Sequence, residues 1–202
     1  MLRFFTNREL SRNLLIPLSK WKRWSREFLA PDPLGGLQSG VARRYSADQA
    51  LTVFIGGHLV AELKISIPEA RQIMGDLRSC LNDIGAFAGA QIHHRYQIEG
   101  YGPILAFSIF LSRVWRASSN PPSFNYTVRG LISRKVYVIG NRKVLREEYL
   151  EEPIPRSTQT SQDVYKPTIK ILPISAIVGQ FTKVMQLDRK YFPILDHYSS
   201  DA

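Results

Sequence analysis

The chain has 202 residues, 44% of them hydrophobic and 22% charged, with a formal net charge of +10. That length holds one large domain or two small ones, and the composition is that of a globular protein rather than a disordered or fibrous one. No stretch reaches the ~18 apolar residues of a membrane-spanning helix, the start turns polar too early for a secretory signal, and one cysteine, Cys80, excludes an internal disulfide or a cysteine-cluster metal site. The basic balance points to a polyanionic partner, nucleic acid first and an acidic membrane surface second. Together these features predict a cytoplasmic protein.

Thr6-Asn7-Arg8-Glu9 has the form of a capping box and predicts a helix start, with Leu10 and Leu14 on its buried side. Pro17 ends that helix, and a short turn leads into a second over residues 17–29. In this second helix Trp21, Trp24 and Phe28 fall at i, i+3 and i+7 and share one face. Ser19, Lys22, Arg23 and Arg26 fall on the other, beside Lys20. Two helices joined so tightly predict a helix-turn-helix, whose second member anchors by its aromatics and presents cations to phosphates. A glycine-rich excursion over 34–45 follows and ends in Arg43-Arg44-Tyr45. Ser46 to Gln49 then reads as another capping box, opening a helix with Leu51, Phe54, Ile55, His58, Leu59 and Leu63 on one side. A third box, Ser66-Ile67-Pro68-Glu69, opens a helix that buries Ala70, Ile73, Met74, Leu77, Leu81 and Ile84 and ends by Gly85.

These phrases carry a resemblance. Trp21-Lys22-Arg23-Trp24-Ser25-Arg26-Glu27-Phe28-Leu29, Gly40-Val41-Ala42-Arg43-Arg44-Tyr45-Ser46 and Lys64-Ile65-Ser66-Ile67-Pro68-Glu69-Ala70 stand in order along the chain. Residues 4–74 thereby resemble the DNA-binding domain of the MerR family of winged-helix transcription regulators. In that family the second helix runs close to Leu-Arg-Tyr-Trp-Glu-Arg-x-Gly-Leu, and the wing ends near Gly-x-x-Arg-x-Tyr-Ser. Lys22 stands where arginine is usual and Phe28 where a helix-ending glycine is usual, and the loop over 30–42 is long. The resemblance implies a recognition helix over about 17–29 in the major groove and a wing over about 34–45 on the backbone. It assigns DNA contacts to Ser19, Lys20, Lys22, Arg23, Arg26, Arg43, Arg44 and Tyr45. It further implies double-stranded DNA as partner, RNA polymerase as a second candidate, a homodimer and a nucleoid-associated location.

A small-residue stretch, Gly85-Ala86-Phe87-Ala88-Gly89-Ala90, marks the expected boundary between a first domain, 1–86, and a second, 87–202. Beyond it the period shifts from 3.6 towards 2. Strands are predicted around Tyr96 and Ile98, over 103–111 (apolar on both faces, hence central), and through Phe124, Tyr126 and Val128. Residues 134–139 and 142–149 read as a hairpin, with Gly140 at the first position of a type II′ turn. Residues 153–167 read as a loop, 168–172 as a last strand and 175–187 as a closing helix. The expected fold class is α+β, a winged helix-turn-helix domain followed by a strand-rich α+β domain for dimerisation or effector sensing.

Basic charge has two centres. Residues 1–46 carry nine lysines and arginines against three acids, and residues 113–146 carry eight and no acid. Arg134, Lys135, Arg142 and Lys143 of the second centre form a candidate second basic patch, or a solvated strand edge that discourages aggregation. No nucleophile elbow, phosphate-cradling loop or paired-histidine zinc motif is present. His93 and His94, adjacent on an expected strand, would point to opposite faces, and Cys80 is expected to be an inert, half-buried thiol. No enzyme activity, cofactor or metal is expected. The reading favoured is a sequence-specific double-stranded DNA-binding transcription regulator. The alternative is an architectural or accessory DNA-binding protein, such as an excision, partition or replication factor, of low sequence specificity.

Overall fold

The computed structural model describes residues 3–32, 43–97, 103–115, 123–154 and 164–198. The fold is mixed α+β. A short strand β1 (Phe5–Thr6) leads into α1 (Asn7–Asn13), and α2 (Leu18–Phe28) follows after a tight turn. Leu15 in that turn takes a left-handed backbone, φ 55°, with its side chain in solvent. Strand β2 (Arg44–Tyr45) pairs antiparallel with β1, and α3 (Ala47–Ala61) and α4 (Ile67–Asp83) complete the helical half.

All three capping boxes mark helix starts, though each is built differently. Thr6 caps α1 by accepting from the Glu9 amide at 3.2 Å, while the Glu9 carboxylate turns away to Arg3. At α3 the box is reciprocal, with Ser46 Oγ accepting from the Gln49 amide and Gln49 Oε1 from the Ser46 amide. At α4 the Glu69 carboxylate accepts from both the Ser66 amide, 3.2 Å, and its hydroxyl, 2.7 Å. Helix α4 stops where expected, before Gly85 at φ 72°.

The other half is a curled four-stranded antiparallel sheet in the order β5-β4-β3-β6, built from β3 (Ala106–Trp115), β4 (Ser123–Ile139), β5 (Arg142–Pro153) and β6 (Val164–Leu172). β3 is central, between β4 and β6, while its face of Ala106, Ser108 and Phe110 is only half-buried. Its Phe107, Ile109 and Leu111, with Phe124, Tyr126 and Val128 of β4, turn inward. Helix α5 (Ile174–Val184) packs on β3, where Ser175 Oγ accepts from the Phe107 amide at 2.8 Å.

Three expectations change here. Tyr96 lies not in a strand but in a 3-10 turn, His94–Tyr96, buried against Phe107. That turn also brings the His93 and His94 rings together at 4.0 Å instead of splaying them across a strand. Among the described residues no group of three or more His, Cys, Asp or Glu is placed to hold a metal. The loop expected over 153–167 is shorter, because β5 runs through Pro153 and β6 begins at Val164; residues 155–163 lie outside the described set.

The two expected segments, 1–86 and 87–202, pack against one another. Buried residues from Phe5 to Leu195 form one cluster, and the Phe54 and Phe181 rings, one from α3 and one from α5, lie 5.7 Å apart. Glu69 of α4 pairs with Arg113 of β3, and Tyr126 donates to Asp76 at 2.6 Å. At the expected boundary Ala86 is buried and the Gly85 carbonyl accepts from the Ile194 amide. Among the described residues no helix is long and apolar enough to cross a membrane.

Cys80 belongs to this core. Burial pushes its thiol up to about 12 against a hydrogen bond from Tyr96 that lowers it, so the nucleophilic thiolate is scarce at neutral pH. The folded protein at pH 8 should therefore stay unlabelled by an aromatic disulfide reagent and take up one equivalent in denaturant. Stoichiometric labelling in native buffer would contradict the burial.

Candidate nucleic-acid interface

Helix α2 separates its residues as the i, i+3, i+7 spacing requires. Trp21 and Trp24 are buried and Phe28 is largely so, while Ser19, Lys20, Lys22, Arg23 and Arg26 are exposed. The sole acid of the helix, Glu27, is drawn to its flank and ion-paired with Arg71 of α4. The outward face therefore presents Lys22, Arg23 and Arg26 with no carboxylate of α2 among them. Arg26 stands in the last turn, where the helix dipole favours a cation. Lys20 leans back, its ammonium 4.9 Å above the Trp24 ring, and so shields that ring from solvent.

The seat of α2 is a pair of glycines. A Cβ added at Gly57 would lie 2.3 Å from the Trp24 ring, and one added at Gly56 would lie 2.6 Å from the Phe28 ring. Helix α3 thus offers bare backbone at successive positions to two aromatics of α2. Sequence reading overlooked both glycines. Their signal was present, since two glycines in the middle of a helix cost about 1 kcal/mol each against alanine and call for a packing reason. The same contact explains Phe28, which ends the helix while filling the space above Gly56.

The arginine-tyrosine end of the expected wing has another task for its tyrosine. Tyr45 is 1% exposed, packed edge-on to Trp21 at 5.9 Å, so its assignment as a DNA contact is corrected. Its hydroxyl donates to Asn7 Oδ1 at 2.8 Å and lies 3.2 Å from Ser25 Oγ, whose own proton goes to the Lys22 carbonyl. Tyr45 is thus a buried pin joining α1, α2 and β2. Tyr45→Phe should cost about 1 kcal/mol, the usual worth of such a bond, as a lower urea midpoint with unchanged slope. An unchanged midpoint would mean that the hydroxyl does not hold these elements.

Arg43 is half spent as a brace, donating to the Ala30 carbonyl at 2.9 Å beyond the end of α2, with its guanidinium 5.4 Å above Tyr45. Arg44, the next residue, points into solvent. The pairing Phe5–Tyr45 and Thr6–Arg44 holds this end against the start of α1. The glycine-rich stretch 34–42 of the expected wing lies outside the described residues.

The second basic centre falls on the hairpin of β4 and β5. Gly140 takes φ 59° at the first turn position, as the type II′ reading requires. Arg134 is not free: its Nε donates to Glu147 at 2.7 Å across the strands. That carboxylate is held below its usual range by hydrogen bonds from Tyr149 and Arg134. Lys135, Arg142 and Lys143 are exposed and have no carboxylate partner among the described residues. No family model matches the chain, no curated protein matches its sequence and no solved structure matches its fold.

Proposed function

We propose that the chain is a sequence-specific double-stranded DNA-binding transcription regulator of MerR-like type, with α2 as the recognition helix. The observation that carries this reading is the division of α2. Trp21, Trp24 and Phe28 fix the helix on Gly56 and Gly57, and this rigid mount turns Lys22, Arg23 and Arg26 outward without an intervening acid. A helix so mounted fits the ~12 Å width of a major groove, where arginines read guanine edges and lysines hold phosphates. Ser19 at the first turn and Arg44 at the end of β2 add further polar reach on the exposed surface. The likeness of residues 4–74 to the MerR family supports the same assignment.

Selection of bound duplexes from random DNA by the whole protein tests the reading. A defined motif, preferred at least ~10³-fold over a scrambled control, is the expected result, and a two-fold symmetric motif would add a homodimer to it. Enrichment without a motif, with equally steep salt dependence on both duplexes, would replace the regulator by an architectural DNA binder.

A further inference from the structure

We infer that the distal hairpin of β4 and β5 is a β-ribbon arm that enters a groove of duplex DNA, apart from the contact made by α2. The inference shares with the preceding section the premise of a DNA partner but does not depend on the assignment of α2. β3 pairs with β4 only as far as Leu131, opposite Ala106. Beyond that point β4 and β5 continue alone to Ile139 and back from Arg142, a two-stranded ribbon. Eight residues at about 3.4 Å each carry it roughly 27 Å past the sheet. A register shift between Leu131 and Ser133 marks its root, where a bulge sharpens the twist and re-aims the strands.

The ribbon is exposed on both faces. Cross-strand pairing places Arg134, Val136 and Val138 with Lys143, Leu145 and Glu147 on one face. Lys135, Tyr137 and Ile139 lie with Arg142, Val144 and Arg146 on the other. At the tip Val138 is 70% and Ile139 67% exposed. The first face is partly neutralised by the Arg134–Glu147 pair. The second has three cations, and among the described residues only Arg146 of these has a carboxylate near it, Glu148 at 3.4 Å towards the root.

This mixture selects among occupants. Neither face is free of charge, so the ribbon cannot lay an apolar face in a bilayer without burying a cation. A second copy docked ribbon against ribbon would set five lysines and arginines of each arm, Arg134, Lys135, Arg142, Lys143 and Arg146, against only Glu147 and Glu148 of the other. A DNA groove offers what both faces need, because its two walls carry phosphates for Lys135, Arg142 and Lys143. Its sugars and thymine methyls meet Tyr137, Val138 and Ile139. The major groove admits a two-stranded ribbon, and an exposed isoleucine at a ribbon tip is also the kind of wedge that opens a base step.

The test uses the full chain, a 30-base-pair duplex, and two variants whose changes lie on exposed side chains. Lys135→Ala, Arg142→Ala and Lys143→Ala combined should bind on the order of 100-fold more weakly at 0.15 M salt. The slope of log affinity on log salt should fall by about 2.7, three phosphate contacts at about 0.9 each. Tyr137→Ser with Ile139→Ser should weaken binding while leaving that slope unchanged, since no counterion is released by apolar contacts. Both variants should melt as the wild type does. A triple variant with wild-type affinity and slope overturns the arm. So does transfer of the effect to another partner: loss of binding to phosphatidylglycerol vesicles, or of a wild-type dimer in sedimentation, with DNA affinity intact. If Arg23→Ala with Arg26→Ala binds normally while the triple variant fails, the arm stands and α2 loses its role. The reverse result removes the arm and leaves α2. A wild-type protein that binds no duplex removes both.

Discussion

Trp24→Ala is expected to lower the free energy of unfolding by about 3–5 kcal/mol, the range for an aromatic truncated in a core. Trp24 is 4% exposed, and its ring lies where a side chain on Gly57 would otherwise be. Alanine there opens a cavity against bare helix backbone, and α3 cannot close it without dragging Ala50, Val53 and their neighbours out of the shared core. Lys20 would at the same time lose the ring it covers. The change should appear as a large drop in urea midpoint. Gly57→Ala approaches the same contact from the other side and must displace the ring or the helix. A normal unfolding curve for Trp24→Ala would place the aromatic stripe outward and reverse the helical phase of α2.

Local patterns were legible along the chain where local physics decides them. The aromatic-basic division of α2, the capped starts of α1, α3 and α4, and the Gly140 turn each follow from residues within one or two turns of one another. Contacts across sequence were not. Tyr45 sits beside two arginines and reads as exposed, yet its hydroxyl reaches Asn7, 38 residues earlier, and its ring lies on Trp21. Glu69 reads as a capping residue and serves as one, while also pairing with Arg113 of the sheet. Tyr96 follows two histidines and an arginine in a stretch whose spacing suits a strand. The buried surface of Phe107 instead draws it into a tight turn. The ribbon was visible as a hairpin but not as an arm. Its sequence stays strand-like past Leu131, and only the end of the pairing with β3 shows where the sheet stops.

The second large effect concerns Arg23 and Arg26. Both project from the side of α2 opposite Trp21 and Trp24, and neither contributes to the buried cluster, so alanine at both positions should leave the melting curve intact. DNA binding should nonetheless collapse. If both arginines read base edges, each bidentate contact is worth about 1–3 kcal/mol, and their joint loss is a fall of about 30-fold or more. If they hold phosphates instead, the salt slope falls by about 1.8 and the affinity falls for any sequence alike. The neighbouring Lys22 would sustain only residual, unspecific attraction.

The most direct measurement is therefore a titration of wild type and the Arg23→Ala, Arg26→Ala variant across a salt series. The selected duplex and its scrambled control are used side by side, with thermal melts of both proteins. Two equal melts are expected, with a wild type that prefers the selected duplex and a variant whose affinity for that duplex falls to the level of the control. A folded variant that keeps the wild-type affinity and preference would contradict the assignment of α2, because the cations on its outward face would then have no part in holding DNA.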